Sequence, residues 1–285
     1  MRRFNSELLE FAATVGRRIW NRGSRRRDPL LNERYVSKVP SAQQTVDLFG
    51  GSWASRLPIE GVRSGTVALF EDERIQWLLE RLGGAAGLDV LELGPLEGGH
   101  STMLERAGAR RVHGIDANTL AYLKCLTVKE LLGLKATEFE LGDFDAYLDT
   151  CQQRYDLIVA CGVLYHLVDP LRTLLNMTRL SHRLFIWSHF FDPVAMPKSD
   201  PRHAWMTGEV RRHKIDGEEL TYHYRSYGGT KHGLAFCGGM MSKAVWMEQG
   251  EVVQLLERKG FKVATAFVTP DHPHGPAACI FAERA

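Results

Sequence analysis

The sequence lacks the features that mark several large classes of protein. No apolar run approaches the ~20 residues that a membrane-spanning helix needs, and the arginine-rich N-terminus has no continuous apolar core of the kind found in secretory signals. The five cysteines have no short pair spacing, and no pair of histidines or acids has the tight spacing of known metal ligands. We therefore expect a cytoplasmic protein with reduced thiols, no membrane span and no metal site.

The charge is nearly balanced overall but uneven along the chain. The net charge is +2 over 285 residues, which does not by itself call for a nucleic-acid partner. Residues 1–40, however, hold ten Lys or Arg against four Asp or Glu, and apolar residues from Phe4 to Ile19 recur there at helical spacing. Such a basic helix lies either on a membrane or nucleic-acid backbone, or on its own domain with a solvated basic tail; we favour the second.

Apolar periodicity in the rest of the chain predicts an α/β fold. Apolar runs typical of strands occupy residues 88–93, 112–115, 137–141, 155–160, 183–187, 261–268 and 277–283. Helical periodicity occupies residues 70–82, 100–107, 119–132, 170–180 and 248–258. Because long helices separate the first strands, we expect parallel crossovers and a doubly wound, seven-stranded, Rossmann-like sheet. We divide the chain into a basic helix with an irregular wrapping segment, 1–68, and a main domain, 69–285.

Residues 192–245 interrupt the alternation of strands and helices. Within them, residues 210–215 and 218–227 flank Asp216-Gly217, a strong signal for a two-residue hairpin turn. The glycine-rich stretch 226–242 that follows predicts an irregular loop. This insertion is either a hairpin lid over a substrate or a small satellite core.

The stretch from Leu88 to Asn118 has the pattern of a nucleotide-binding unit: strand, glycine loop, helix, strand and acid. A dinucleotide site needs three closely spaced glycines, whereas the spacing here is Gly94-x-x-x-Gly98 with Leu96 between them. Glu92 lies two residues before the first glycine, where a carboxylate would repel a pyrophosphate but suit a cationic ligand. S-adenosylmethionine, which carries a sulfonium and no phosphate, is the cofactor that these residues predict.

Acids and a glycine end the next three strands. Asp116 is placed to accept hydrogen bonds from the ribose hydroxyls, and Asp143 with the N–H of Phe144 is placed at the adenine. Gly162 allows the backbone to approach the methionine part closely. The complete set of predicted cofactor-binding residues is Glu92, Gly94, Pro95, Leu96, Gly98, His100, Asp116, Ala117, Asn118, Asp143, Phe144, Cys161, Gly162 and Val163.

The unit resembles motif I of the class I S-adenosylmethionine-dependent methyltransferases, and the resemblance spans roughly residues 70–283. The run GVLYH at 162–166, followed by DPL at 169–171, is similar to a segment of the tRNA wobble-uridine carboxymethyltransferases. The pattern from Glu92 to His100 also aligns with the first motif of that group, except that Leu96 replaces the middle glycine and Glu92 the usual aspartate. No counterpart of the upstream Lys and Trp positions, which hold the extra carboxylate of the carboxymethyl cofactor, is present.

Three side chains near the expected acceptor are candidates for catalysis. The resemblance places Tyr165 beside the transferred group. His166 is either catalytic or packed under its loop, and His189, at the end of the fifth strand, is positioned as a general base. His272 and His274, between prolines, are expected on a surface loop.

The leading hypothesis is a methyltransferase that acts on an oxygen or nitrogen of a small-molecule acceptor. The alternatives are a tRNA wobble-uridine (carboxy)methyltransferase, which would have RNA as its partner, and a catalytically silent S-adenosylmethionine-binding protein.

Overall fold

The computed structural model describes residues 35–227 and 239–284, and from residue 42 onward they belong to one compact unit. The predicted helix from Phe4 to Ile19 lies outside the described residues. Within these ranges, no helix is both long and apolar enough to cross a membrane.

Among the described residues, ten strands form two sheets. The strands are β1 (Asp89–Leu93), β2 (Arg111–Asp116), β3 (Thr137–Leu141), β4 (Leu157–Cys161), β5 (Arg183–His189), β6 (Met206–Ile215), β7 (Glu218–Ser226), β8 (Lys243–Trp246), β9 (Lys262–Thr269) and β10 (Ala277–Glu283). The large sheet has seven strands in the order β3-β2-β1-β4-β5-β10-β9. Strands β1 to β5 are parallel, and β10 runs antiparallel to both of its neighbours. The predicted seven-stranded α/β sheet is confirmed.

Helices among the described residues lie before the first strand and between later ones. They are α1 (Ala42–Asp47), α2 (Glu73–Leu82), α3 (Gly99–Arg106), α4 (Thr119–Leu132), α5 (Phe144–Thr150), α6 (Pro170–Leu180) and α7 (Gln249–Arg258). Helix α4 has the predicted bounds because Asn118 caps its start, where its Oδ1 accepts from the N–H of Leu120 at 2.9 Å, and Gly133 ends it in the left-handed conformation. The sequence did not predict α5, whose seven residues are too few to show a helical period.

Strands β6, β7 and β8 form a separate antiparallel sheet. The hairpin is confirmed: Asp216 and Gly217 have φ angles of 50° and 85°, as a primed two-residue turn requires. Strand β8 was missed because four residues are too short to show alternation. On β7, the buried Tyr222 accepts from the N–H of Leu171 at 3.0 Å and donates to Asp169 at 2.7 Å, so the hairpin is anchored to the main core.

Apolar clusters cover both faces of the large sheet, and a third cluster packs residues of the 42–70 segment against helix α4. The buried Glu97 accepts from the backbone N–H groups of Ala54 at 2.9 Å and Ser55 at 2.7 Å, and pairs with the buried Lys124 at 2.7 Å. Glu97 lies within the glycine loop after β1, so this contact fixes residues 42–68 directly beside that loop.

Candidate cofactor and acceptor site

A cavity of about 790 Å³ opens at the carboxyl ends of the parallel strands, where ligands bind in open α/β sheets. Most of the predicted site residues line it: Gly94, Pro95, Leu96, His100, Asp116, Ala117, Asn118, Asp143, Phe144, Cys161, Gly162, Val163, Tyr165, His166 and His189. Two predicted residues, Glu92 and Gly98, do not line it. The structure therefore brings 15 of the 17 predicted residues together around one cavity.

The glycine loop after β1 forms one wall. Gly94 has a φ angle of 67°, and a Cβ atom there would lie only 2.5 Å from Cγ1 of Val163. Leu96 adopts a φ angle of 56°, in the left-handed region that glycine favours. The sequence already marked Leu96 as the residue in place of the middle glycine, and the backbone keeps the conformation of a glycine there.

The Asp116 carboxylate is held in position by the backbone. Its Oδ1 accepts from the N–H of Asn118 at 2.8 Å, and its Oδ2 accepts from the N–H of Leu96 at 3.2 Å. Burial raises the pKa of this carboxyl, although the two N–H groups oppose the shift. Each oxygen keeps a further lone pair, so the oriented carboxylate can still accept hydrogen bonds from a diol.

Asp143 has a local role as well as a place in the cavity wall. Its side chain caps α5, accepting from the N–H of Asp145 at 2.9 Å. A capping carboxylate uses only some of its lone pairs, so the predicted adenine contact remains compatible with this geometry.

Glu92 is buried beneath the cavity wall. It accepts a hydrogen bond from the hydroxyl of Ser101, and its Oε1 lies 3.6 Å from Nδ1 of His100. Burial raises the pKa of this carboxyl, and the nearby His100 opposes the shift. The sequence predicted a direct contact with the cofactor, whereas the structure places His100 between this acid and the cavity.

A charged network missed by the sequence interpretation continues from His100. Nε2 of His100 donates to Asp72 at 2.9 Å, and Nε of Arg74 donates to the same carboxylate at 2.9 Å. Burial disfavours charge on His100, but Cys161 and the hydrogen bond to Asp72 outweigh it and raise its pKa to about 10. Arg74 lines the cavity, and its guanidinium carbon lies 4.4 Å from the ring centroid of Trp187. The only sequence signal was that Asp72 precedes a helix, which indicates a cap and not a site.

Aromatic rings enclose the end of the cavity next to Gly162. The ring of Tyr165 lies 5.9 Å from that of Trp187 and 4.6 Å from that of His189, between centroids. His189 also stacks on Trp246 at 5.3 Å and lies 4.9 Å from His272. Apolar walls with few polar groups are typical of small-molecule sites.

The two candidate histidines have different surroundings. A hydrogen bond joins Nδ1 of His166 to the hydroxyl of Tyr227, and burial lowers the pKa of His166 to about 3. His189 donates from Nδ1 to the carbonyl oxygen of Gly275 at 2.8 Å, and burial lowers its pKa to about 4. Both rings are therefore neutral near pH 7. His166 ties its turn (Leu164–His166) to Tyr227, and His189 borders the cavity beside Tyr165.

The loop between β9 and β10 contributes to the cavity. His272 and His274 both line the cavity, although His274 is also exposed to solvent, as expected for a loop residue. Among the described residues, no group of three or more His, Cys, Asp or Glu side chains has the arrangement of a metal site.

The strand order, the glycine loop after β1 and the acid that ends β2 define the class: this is the fold of a class I S-adenosylmethionine-dependent methyltransferase. Residues 85–225 match the family model described as a methyltransferase domain. The chain is therefore an S-adenosylmethionine-dependent methyltransferase, as the sequence predicted.

Solved structures agree with this fold. The N-terminal domain of EvdMO1, determined in the presence of S-adenosylhomocysteine (SAH) and D-fucose, is 19% identical with a TM-score of 0.63, over 85% of this chain and 95% of that chain. Magnesium protoporphyrin IX methyltransferase from Synechocystis PCC 6803 with bound SAH is 16% identical with a TM-score of 0.51, over 99% of this chain and 100% of that chain. At these identities the likeness shows the shared fold.

A curated relative matches part of the sequence. The tRNA U34 carboxymethyltransferase of Marinobacter nauticus is 32% identical over 111 residues, which are 36% of this chain and 32% of that protein. The chain thus spans about a third of the length of this relative.

Proposed function

We propose that this enzyme methylates an oxygen or nitrogen of a small-molecule acceptor whose reacting atom lies in the cavity beside Tyr165 and His189. S-adenosylmethionine, when bound, supplies a methyl group activated by its sulfonium. The protein then has to hold donor and acceptor in line and to remove the acceptor's proton.

The cavity residues fit this cofactor better than a dinucleotide. Asp116 and Asp143 present carboxylates where a ribose and an adenine amino group need acceptors. The loop has Leu96 in place of the middle glycine, which a dinucleotide site uses to bring the backbone close to a pyrophosphate. At the opposite end, Arg74 presents a guanidinium beside Cys161 and Trp187. We assign Arg74 to the carboxylate of the methionine part, because planar guanidinium groups bind carboxylates well.

The observation that carries the proposal is the environment of His189. Its Nδ1–H is committed to the Gly275 carbonyl, so the lone pair of this neutral ring is on Nε2, and the ring borders the cavity next to Tyr165. A neutral imidazole with a fixed tautomer can accept a hydrogen bond from the acceptor group and take its proton as methyl transfer proceeds. The surrounding rings exclude water and suit a planar or sugar-like acceptor.

The proposal is tested by SAH release from S-adenosylmethionine in the presence of a panel of phenols, sugars and amines. We expect one acceptor class to support turnover and His189→Gln to lower kcat at least tenfold, with SAH binding unchanged. His182→Gln, an exposed histidine just before β5, is the matched control and should retain wild-type activity. Equal activity of the two variants would remove His189 from the mechanism.

A second function, carboxymethylation of a tRNA wobble uridine, is favoured by the 32% identity to the Marinobacter nauticus enzyme and by the GVLYH run at 162–166. Mass spectrometry of the cofactor that co-purifies separates the two functions. The methyl form agrees with the first proposal, and a carboxymethyl sulfonium supports the second. A protein that binds S-adenosylmethionine and releases no SAH with any acceptor, including tRNA, would be a silent binding protein.

A further inference from the structure

Arg225, on β7, is half-buried and has no acidic partner among residues 35–227 and 239–284. Its guanidinium carbon lies 5.3 Å from the ring centroid of Trp246 and 5.4 Å from that of Tyr227. Burial lowers its pKa, which reflects the cost of a charge that is partly removed from water. Two aromatic faces offset part of this cost, but neither provides the anion that usually accompanies a half-buried arginine.

The nearby acids are already engaged. Glu209, on the adjoining strand β6, pairs with Arg211 at 2.6 Å and with Lys243 at 3.5 Å. Glu248 accepts from His223 at 2.9 Å. Residues 228–238, which follow β7 in the sequence, contain a lysine and a histidine but no Asp or Glu.

Arg225 lies one aromatic ring away from the reactive end of the cavity. Trp246, on one side of its guanidinium, stacks on His189, the proposed base. Tyr227, on the other side, is hydrogen-bonded to His166. The positive charge of Arg225 also contributes to the lowered pKa of His166, after burial as the main cause.

We propose that Arg225 binds an anionic group of the acceptor, a carboxylate or a phosphate, about one ring's length from the atom that is methylated. A guanidinium presents paired N–H donors in the spacing of two carboxylate or phosphate oxygens. An acceptor with its reacting atom at Tyr165 and its anion at Arg225 is held at both ends. This inference rests on the proposed function and narrows its substrate class to aromatic or sugar-like acids and phosphates.

The test uses the full-length protein saturated with SAH and three probes of similar shape: benzoate, phenyl phosphate and the neutral benzamide. Calorimetric titration should show at least one of the two anions binding at least tenfold more tightly than benzamide. Arg225→Gln should abolish that preference, and Arg225→Lys should retain part of it. The anion that binds identifies carboxylate or phosphate as the recognised group.

Arg211→Gln is the matched control, because Arg211 lies on the same small sheet and over a ring, 5.8 Å from Tyr224, but is paired with Glu209. It should bind the anions as the wild type does. Anion binding that is equal in wild type and Arg225→Gln, or no preference over benzamide, would overturn the inference while leaving the proposed function intact. Failure of the wild-type protein to bind SAH would instead count against the proposed function.

Discussion

Nδ1 of His189 lies 2.8 Å from the carbonyl oxygen of Gly275, which can only accept a hydrogen bond. Gly275 has a φ angle of 124°, and a Cβ atom at this position would lie 2.3 Å from the indole ring of Trp246. A glycine is therefore required where the loop before β10 passes Trp246 and turns its carbonyl toward His189. The tautomer of the proposed base is set by this loop.

The first prediction concerns the pH dependence of methyl transfer. Because burial lowers the pKa of His189 to about 4, the ring stays neutral well below the ordinary histidine pKa of 6.5. We expect the acidic limb of a kcat–pH profile to have its midpoint near pH 4 and full activity at pH 6. A limb centred near 6.5 would contradict the proposed state of His189.

The same shift predicts a change in stability. The folded protein favours the neutral ring of His189. The contribution of this ring to the free energy of unfolding is therefore fully present above about pH 6.5 and is lost as the pH falls toward 4. The loss attributable to His189 is about 2 kcal/mol at pH 5. Urea unfolding of His189→Gln should show a correspondingly smaller decrease in the free energy of unfolding between pH 7 and pH 5 than the wild type shows.

Arg74→Gln is expected to weaken binding of SAH at least tenfold, because the proposed carboxylate contact is lost. Arg81→Gln is the control on the same helix α2: Arg81 packs over Trp77 at 5.1 Å and is not a cavity residue. Calorimetric titration with SAH measures the affinity of both variants. In Arg74→Gln the buried Asp72 keeps its hydrogen bond from His100, so this carboxylate retains one of its two partners. Wild-type affinity in Arg74→Gln would disprove the carboxylate assignment.

Gly94 and Gly133 form a matched pair for testing the glycine loop. Both have a φ angle of 67°, but a Cβ atom at Gly133 meets nothing within 4 Å, whereas one at Gly94 would strike Val163. Gly133→Ala should lower the free energy of unfolding only by the backbone strain, about 1 kcal/mol, and the variant should bind SAH as the wild type does. Gly94→Ala should lower the free energy of unfolding by roughly 1–3 kcal/mol more than Gly133→Ala does, and it should weaken SAH binding. If Gly94→Ala and Gly133→Ala lose the same stability in chemical unfolding and bind SAH equally in calorimetry, the close approach of Gly94 to Val163 is unimportant.

Lys124→Met should lower the free energy of unfolding by about 3–5 kcal/mol, because the buried Glu97 loses its cation. Arg110→Gln removes an exposed ion pair with Asp89 and should cost less than about 1 kcal/mol. Urea unfolding checks both values. A small effect at Lys124 would show that the backbone N–H donors of Ala54 and Ser55 suffice to hold Glu97.

Several parts of the fold followed from neighbouring residues alone. The bounds of α4 were predicted because its cap, Asn118, and its end, Gly133, lie directly beside it in the sequence. The hairpin was predicted because Asp216-Gly217 forms its turn without help from distant residues. The order of strands and helices and the cavity at the carboxyl ends followed from the same local signals, since parallel strands joined by helices have few arrangements.

The sequence by itself thus determined the class of fold, the cofactor and most residues of the cavity wall, because their signals are periodicity and short spacings. Only the tertiary structure decided that Glu92 lies beside His100, that Arg74 lines the cavity, and that Arg225 lies near the proposed base with no acidic partner among the described residues. These relationships join residues far apart in the chain, and burial and charge at such positions depend on which elements pack together. The substrate side of the enzyme is therefore set by packing between the large sheet and the small one.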